Sequence, residues 1–368
     1  MAVDEDKKSI YLIVSSAAKL RLLPELLSKL LDGDYIDKIY IISTPNTLST
    51  VEEIEIAPKI KRKIKVLRDK KFTLCKNNTQ PLPKADAILV APATFNLVSK
   101  IACGIADNYA TTVIATAIAE KIPTYIAPSY DTMWNHPKNN EYITMLEKWE
   151  NVWVIWPDLE NRHITMAPID KISDSLRHRF NRIKFQHTKL DNSVESIFTE
   201  IYKKNKDAIR NFTVSDILHD NRGSNGCFSI RDGKYMIISA SGSRISELDK
   251  SSFCLAEIDN KNLIKWFGKE VPSSESPLHK KIYETYEDVK CIIHIHRNHM
   301  TYSPKLHSLK TSEYIPYGDA SGLDELIDII DKKRYGIMRL HGEVAIGKSA
   351  AETILLLEKM ENEAKKLL

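Results

Sequence analysis

Two histidines two residues apart, His294 and His296, open the functional reading of this 368-residue chain. They close an apolar run, residues 291–296, that predicts a strand, and side chains two apart on a strand face the same side. Both imidazoles can therefore address one ion. A third nitrogen must come from elsewhere, and His341 follows a second apolar run, residues 336–340, and precedes Gly342. Neutral imidazoles suit zinc at about 2.0–2.1 Å, with an open position left for substrate. In a chain with 11 histidines such a pair alone is more often chance than ligand, so its setting decides. Upstream lies Pro272-Ser273-Ser274-Glu275-Ser276-Pro277-Leu278-His279, and before it Ser239-Ala240-Ser241-Gly242. Hydroxyl and glycine residues at loop-to-helix transitions offer O–H and N–H donors to a phosphate. Glu275 opens a predicted helix. There it is either a charge favoured by the helix dipole or, if it faces the ion, a proton-transfer group.

Five motifs follow one another in the second half: GCFSIR at 226–231, SASG at 239–242, PSSESPLH at 272–279, HIHRNH at 294–299 and LHGEVAIG at 340–347. In order and spacing they resemble the class II aldolase, epimerase and adducin-head family. That resemblance implies that His294, His296 and His341 bind zinc or another divalent metal and that Glu275 is the catalytic acid/base. It also implies that Ser241, Gly242, Ser273 and Ser274 hold a substrate phosphate. The family's epimerases carry aspartate in the place of Glu275, so glutamate points to aldol cleavage or dehydration. One departure stands out: the family pattern GNxS reads Gly226-Cys227-Phe228-Ser229 here. Cys227 is expected as a small buried residue rather than a reactive thiol.

The first half offers a different constellation. Ala91-Pro92-Ala93-Thr94-Phe95-Asn96 follows an apolar run, and Gly104-Ile105-Ala106-Asp107-Asn108 follows a short helical one. Hydroxyl and amide groups beyond the ends of parallel strands, with a helix N-terminus behind them, suit a phosphorylated cofactor. These stretches, the loop at 15–19 and APSYDTMWNHP at 127–137 resemble the flavoprotein family that includes phosphopantothenoylcysteine decarboxylase. The resemblance implies that Ser15, Ser16, Ser43, Thr94, Asn96 and Asp107 or Asn108 surround FMN. Two catalytic features of those decarboxylases depart here. Asn78 stands where they carry a histidine, and the PxMNxxMW clamp is reduced to Pro128-Ser129-Tyr130-Asp131-Thr132-Met133-Trp134.

The elements that must position these groups follow from periodicity. Apolar runs at 10–15, 37–43, 64–68, 87–91, 124–127 and 152–156 alternate with a helical pattern at 20–31 and one or two small-residue-rich helices at 97–121. They predict a doubly wound parallel sheet of flavodoxin-like type, covered on both faces. After residue 190 the pattern changes. Runs at 228–231 and 235–239 flank Asp232-Gly233, a hairpin signal, and further strands are expected at 253–258, 291–296, 336–340 and 344–347. Helices are expected at 277–285, 323–332 and 350–368. This predicts an α/β class II aldolase-like domain with a mostly antiparallel central sheet. The domains are expected at 1–172 and 193–368, with a linker at 173–192.

Composition bounds the rest. Lys and Arg exceed Asp and Glu by 53 to 49, and the charges are interspersed, so neither a nucleic-acid nor a membrane surface is expected. No apolar run reaches the roughly 20 residues of a bilayer span. The start lacks the order of a signal peptide, and five cysteines occur without CxxC spacing. A cytoplasmic setting is expected. Both resembled families form closed homo-oligomers, so a homo-oligomer is expected too. The leading expectation is a metal-dependent lyase acting on a small, phosphorylated hydroxy-carbonyl substrate, fused to an FMN-binding domain. The alternatives are a flavin-dependent decarboxylase or prenyl-transfer flavoprotein, and a non-catalytic binding or assembly protein.

Overall fold

The computed structural model of the chain describes residues 8–33, 35–68, 83–160, 165–180, 185–218, 226–244, 247–259, 263–320 and 322–365. Two compact units divide between Phe180 and Asn181.

The first unit is built on six strands: β1 (Lys8–Val14), β2 (Ile36–Ser43), β3 (Ile64–Val66), β4 (Ala87–Ala93), β5 (Thr124–Pro128) and β6 (Val152–Val154). All pair in parallel, in the order β3-β2-β1-β4-β5-β6. With the three-residue edge strand β3 set aside, the others run in the flavodoxin order 2-1-3-4-5. Alternation explains why both faces are covered. Ile10, Leu12 and Val14 of β1 enter one core cluster with Leu23, Leu26 and Leu27, while Tyr11 and Ile13 enter another with Leu97, Val98 and Ile101. The expected doubly wound sheet is present.

The second unit holds β7 (His187–Lys189), β8 (Gly226–Asp232), β9 (Tyr235–Ser239), β10 (Phe253–Glu257), β11 (Ile264–Gly268), β12 (Cys291–Ile295), β13 (Lys310–Tyr314), β14 (Tyr335–Arg339) and β15 (Gly342–Gly347). They form one sheet in the order β13-β14-β15-β12-β8-β9-β10-β11-β7. The outer pairs β13/β14 and β11/β7 are parallel and all inner pairs antiparallel, so the sheet is mostly antiparallel as expected. Asp232 pairs with Tyr235 across a two-residue turn led by Gly233 at φ +59°. Phe228, Ile230, Ile293 and Ile295 point to a core shared with Phe212 and Leu357. Ile292 and Val344 point to the other face, toward Leu278, Ile282 and Leu326. By the same alternation His294, Cys227 and Ser229 lie on that second face.

Some boundaries differ from the sequence reading. The segment 97–121, expected as one or two helices, is two with shifted bounds, Phe95–Ala102 and Tyr109–Ala119. The break falls at Gly104, whose φ of +68° no helix accepts. Residues 173–192, expected as a linker, carry structure at both ends. The helix Ile169–Phe180 buries Ile172 and Leu176 in the first unit, and His187–Lys189 is the edge strand of the second. Its sparse apolar residues at helical spacing were outweighed by the surrounding charge. Asn78 lies outside the described residues. Among the described residues no helix is long and apolar enough to cross a membrane.

Phe228 is 1% exposed and packs between Phe212 and Phe253, at ring separations of 3.8 and 5.5 Å. Phe228→Ala is expected to cost the second unit about 3–5 kcal/mol. Urea unfolding followed by circular dichroism would show it as a lowered midpoint.

Candidate metal and substrate site

β12 delivers the histidine pair. His294 sits inside the strand, with β15 on one side and β8 on the other, and His296 lies one residue beyond its end. His341 occupies the tight connection between β14 and β15, where His341 N–H donates to Met338 O at 3.0 Å. Leu340, just before it, is held at φ +58°, a left-handed conformation costly for a branched side chain. The three imidazoles offer ligand atoms that all lie within 4.8 Å of one another. Their rings are 4.6, 5.0 and 5.2 Å apart, centroid to centroid.

The hydrogen bonds decide what these rings can bind. His294 Nδ1 lies 2.9 Å from Glu343 O, and His341 Nδ1 lies 2.9 Å from Ile315 O. A carbonyl can accept but not donate, so both Nδ1 atoms carry the proton and both Nε2 atoms present lone pairs. His296 Nε2 stands 2.8 Å from His294 Nε2, close enough that a proton or a cation must lie between them. Anchoring of Nδ1 on a main-chain carbonyl is the outer arrangement typical of metal-binding imidazoles. The donor set therefore fits a divalent ion of the zinc type.

Glycine makes the convergence sterically feasible. A Cβ on Gly342 would collide with Ile295 O and the His296 ring, and one on Gly226 would run into His294 O. Beside them Glu343 is fully buried in β15. It accepts from Arg297 N at 2.9 Å and from the Thr301 hydroxyl. Burial pushes its carboxyl up to about 7, against those two hydrogen bonds. Sequence reasoning passed over Glu343; a lone acid within the apolar strand GEVAIG was the available signal.

Glu275 precedes the helix Ser276–Thr285 and is 5% exposed. Its Oε1 accepts from Gly318 N at 2.9 Å and from Ser274 Oγ at 3.4 Å, and it lies 4.0 Å from His341 Nε2. The carboxylate thus faces the histidines. The SASG and PSSES loops are laced together by their backbones. Ser241 N donates to Val271 O at 2.8 Å, Ser273 N donates to Ser239 O at 3.1 Å, and Ala240 bridges Pro272. Gly242, at φ +81°, is exposed, Ser241 is half-buried, and Ser273 and Ser274 are buried. Ser273 Oγ also accepts from Glu275 N at 3.3 Å.

Cys227 is buried, as expected of a small core residue. Its Sγ lies 3.2 Å from His279 Nε2, and burial pushes the thiol well up. His279 Nδ1 meets Ser229 Oγ at 2.7 Å, and Ser229 meets Tyr283 OH at 2.9 Å. Burial, followed by the nearby His294, holds His279 down to about 3.

In the first unit Ser15, Ser16, Ser43 and Thr94 lie at the carboxyl ends of β1, β2 and β4, beside the β1/β4 junction where the strand order reverses, and Asp107 and Asn108 lie before the helix Tyr109–Ala119. Ser15 Oγ donates to Pro92 O at 2.8 Å and accepts from Thr94 N at 2.9 Å, so it braces two loops together. Thr94 caps the helix Phe95–Ala102 and Asn108 caps Tyr109–Ala119. Asp107 pairs with Lys100 at 2.6 Å. Ser16 and Asn96 are exposed and Ser43 half-buried. Beyond them Phe95, Tyr130, Trp134 and Trp156 form a run of ring contacts at 5.5–5.7 Å.

Comparisons with known proteins agree with this division. Residues 218–368 match the family model for the class II aldolase and adducin N-terminal domain. An L-fuculose phosphate aldolase of Methanococcus maripaludis is 30% identical over 172 residues, which cover 42% of this chain and 92% of that protein. The chain belongs, through its second half, to the class II aldolase family. The first half of this aldolase-family chain, residues 2–181, matches the Flavoprotein family model. A coenzyme A biosynthesis bifunctional protein, CoaBC, of Thermococcus kodakarensis is 47% identical over 90 residues. That stretch covers 24% of this chain and 22% of that protein, so the chain spans about a fifth of that relative's length. Among solved structures, a PPC decarboxylase mutant is 20% identical with a TM-score of 0.40, covering 48% of this chain and 99% of its own.

Because His279 is neutral when buried, acid should destabilise the second unit. The unfolded chain takes up a proton near pH 6.5, whereas the folded one resists until about pH 3. Stability is complete above pH 6.5 and is lost as the pH falls toward 3. Urea midpoints measured from pH 7 to 4 should fall less steeply in His279→Gln than in the parent.

Proposed function

We propose that the second half of this chain is a metal-dependent lyase, cleaving by retro-aldol reaction or dehydrating a small, phosphorylated hydroxy-carbonyl compound. The observation that carries this reading is the convergence of His294, His296 and His341 with Glu275 Oε1 4.0 Å from His341 Nε2. It is supported by the 30% identity to fuculose phosphate aldolases along nearly the whole of those enzymes. His294, His296 and His341 would hold the ion, zinc or another divalent metal. When bound, the ion supplies a Lewis acid that polarises carbonyl and hydroxyl oxygens of the substrate.

The chain's own residues do the rest. Glu275 carries the proton to or from the substrate, its Oε1 held by Gly318 N–H. Ser241, Gly242, Ser273 and Ser274 bind the phosphate, with hydroxyl and main-chain N–H donors on two loops that the backbone ladder keeps side by side. Ser273 serves twice, since its hydroxyl also receives Glu275 N–H and so ties the phosphate loop to the acid/base.

The first half, in this reading, binds FMN at the carboxyl ends of β1, β2 and β4. Ser16, Ser43 and Asn96 contact the cofactor, while Ser15, Thr94, Asp107 and Asn108 shape the loops around it. A second reading, flavin-dependent decarboxylation, is favoured by the 47% identity to part of CoaBC. It is weakened by the altered clamp at 128–134 and by Asn78. The chain acts on small molecules as a cytoplasmic homo-oligomer.

Purified protein should contain about one divalent ion per chain on elemental analysis, and lose turnover on chelation and regain it with zinc. Turnover is sought among sugar phosphates, L-fuculose phosphate first, with retro-aldol products read against dehydration products. Protein lacking any divalent ion, and inactive on every compound with metal added, would falsify the lyase reading. Glu275→Gln should retain the metal and lower kcat by about 10²–10⁴-fold. An unchanged kcat would remove Glu275 from the reaction. Added FMN should give flavin absorption bands that persist through gel filtration; a colourless protein fraction would sink the flavin assignment.

A further inference from the structure

Four consecutive residues, Ile315-Pro316-Tyr317-Gly318, follow β13 and meet the site at three places. Ile315 is buried in the core beneath the helices Ser276–Thr285 and Leu323–Lys333, so the segment starts from a fixed point. Its carbonyl accepts His341 Nδ1–H at 2.9 Å and thereby sets which nitrogen of that ring points inward. Two residues on, the Tyr317 ring packs edge-on against His341, with centroids 4.2 Å apart and planes at 67°. It packs against His296 at 5.5 Å and 81°. One residue further, Gly318 N–H holds Glu275 Oε1 at 2.9 Å. Gly318 has φ +69°, and a Cβ there would lie 3.0 Å from Ser274 O, so the peptide can reach the carboxylate only without a side chain. Pro316 restricts its own φ, and Asp319 N closes back on Pro316 O at 3.2 Å.

We propose that residues 315–318 act as one clamp that positions a metal-binding imidazole and the acid/base carboxylate together. Tyr317 and Gly318 are its positioning residues. The inference rests on the metal-lyase reading and deepens it. An imidazole held at Nδ1 by a carbonyl can still swing about its Cα–Cβ and Cβ–Cγ bonds. The Tyr317 ring, packed against both His341 and His296, restricts that freedom. Glu275 is fixed by the adjoining peptide of the same segment. Any shift of the loop therefore moves the ligand ring and the carboxylate as a pair, and their separation is preserved by four residues of chain.

The test uses cobalt(II) in place of the native ion on the full-length chain, since its visible absorption reports ligand geometry. Tyr317→Leu is expected to bind cobalt about 10–100-fold more weakly, the usual effect of removing an outer support, with altered visible bands. Tyr317→Phe, which keeps the ring, should restore both affinity and spectrum. Gly318→Ala should change the cobalt spectrum as well as lowering the kcat of the metal-saturated protein. Far-UV circular dichroism and thermal midpoints show whether each variant is folded. A folded Tyr317→Leu with parental cobalt affinity and spectrum overturns the clamp while leaving the metal reading intact. A parent chain that takes up no cobalt overturns the metal reading, and the clamp with it.

Discussion

Two imidazole N–H groups give up their protons' freedom to main-chain carbonyls, His294 to Glu343 O and His341 to Ile315 O, and the rest of the second unit is arranged around those two bonds. They come from opposite directions. The first joins adjacent strands of one sheet, and the second joins a hairpin turn to a loop that leaves the far edge of that sheet. Their common result is that two Nε2 lone pairs face inward at a place where a carboxylate already waits. Neither bond survives if β12, β15 and the segment after β13 slip by one residue, because a one-residue slip would turn His294 to the opposite face of the sheet.

The surrounding polar groups divide into those that would face a bound ion or substrate and those that brace the frame. Glu275 and the two serine loops belong to the first kind. The buried row Cys227, His279, Ser229 and Tyr283 belongs to the second: Cys227 and Ser229 on β8 meet His279 and Tyr283 on the helix that begins after Glu275, and the thiol and imidazole are both held neutral by burial. A neutral row costs far less to bury than an ion pair would. It also fixes the height of that helix over the sheet, and with it the height of Glu275.

Much of this was legible in the sequence. HxH at strand spacing, the Ser-rich loops and the glutamate at a helix start were readable because each is a local pattern whose residue types have few other uses in combination. The alternation of apolar runs gave both sheets, including the antiparallel character announced by Asp232-Gly233. What escaped was non-local. Tyr317 and Gly318 sit in a loop without periodicity, and nothing in their immediate neighbours tells that the loop crosses to Glu275 and His341. The edge strands β7 and β13 were missed because an edge needs little apolar content: His187–Lys189 is exposed along its length, and Lys310–Tyr314 holds no aliphatic residue. In the first unit the hydroxyls were placed correctly at the strand ends, yet Ser15 and Thr94 turned out to spend their hydrogen bonds on the protein itself, which types and spacing alone do not reveal.

The glycines beside β12 carry a further meaning. Gly226 pairs with Ile295 from β8, and Gly342 approaches the same residue's carbonyl from β15. The last peptide of the strand, between the two histidines, is therefore gripped laterally by main chain alone. The site is defined as much by two missing methyl groups as by three rings. A designer transplanting only the histidines and the glutamate into another sheet would reproduce the ligands and lose the slot. What must be copied is the narrowness of the sheet at that point.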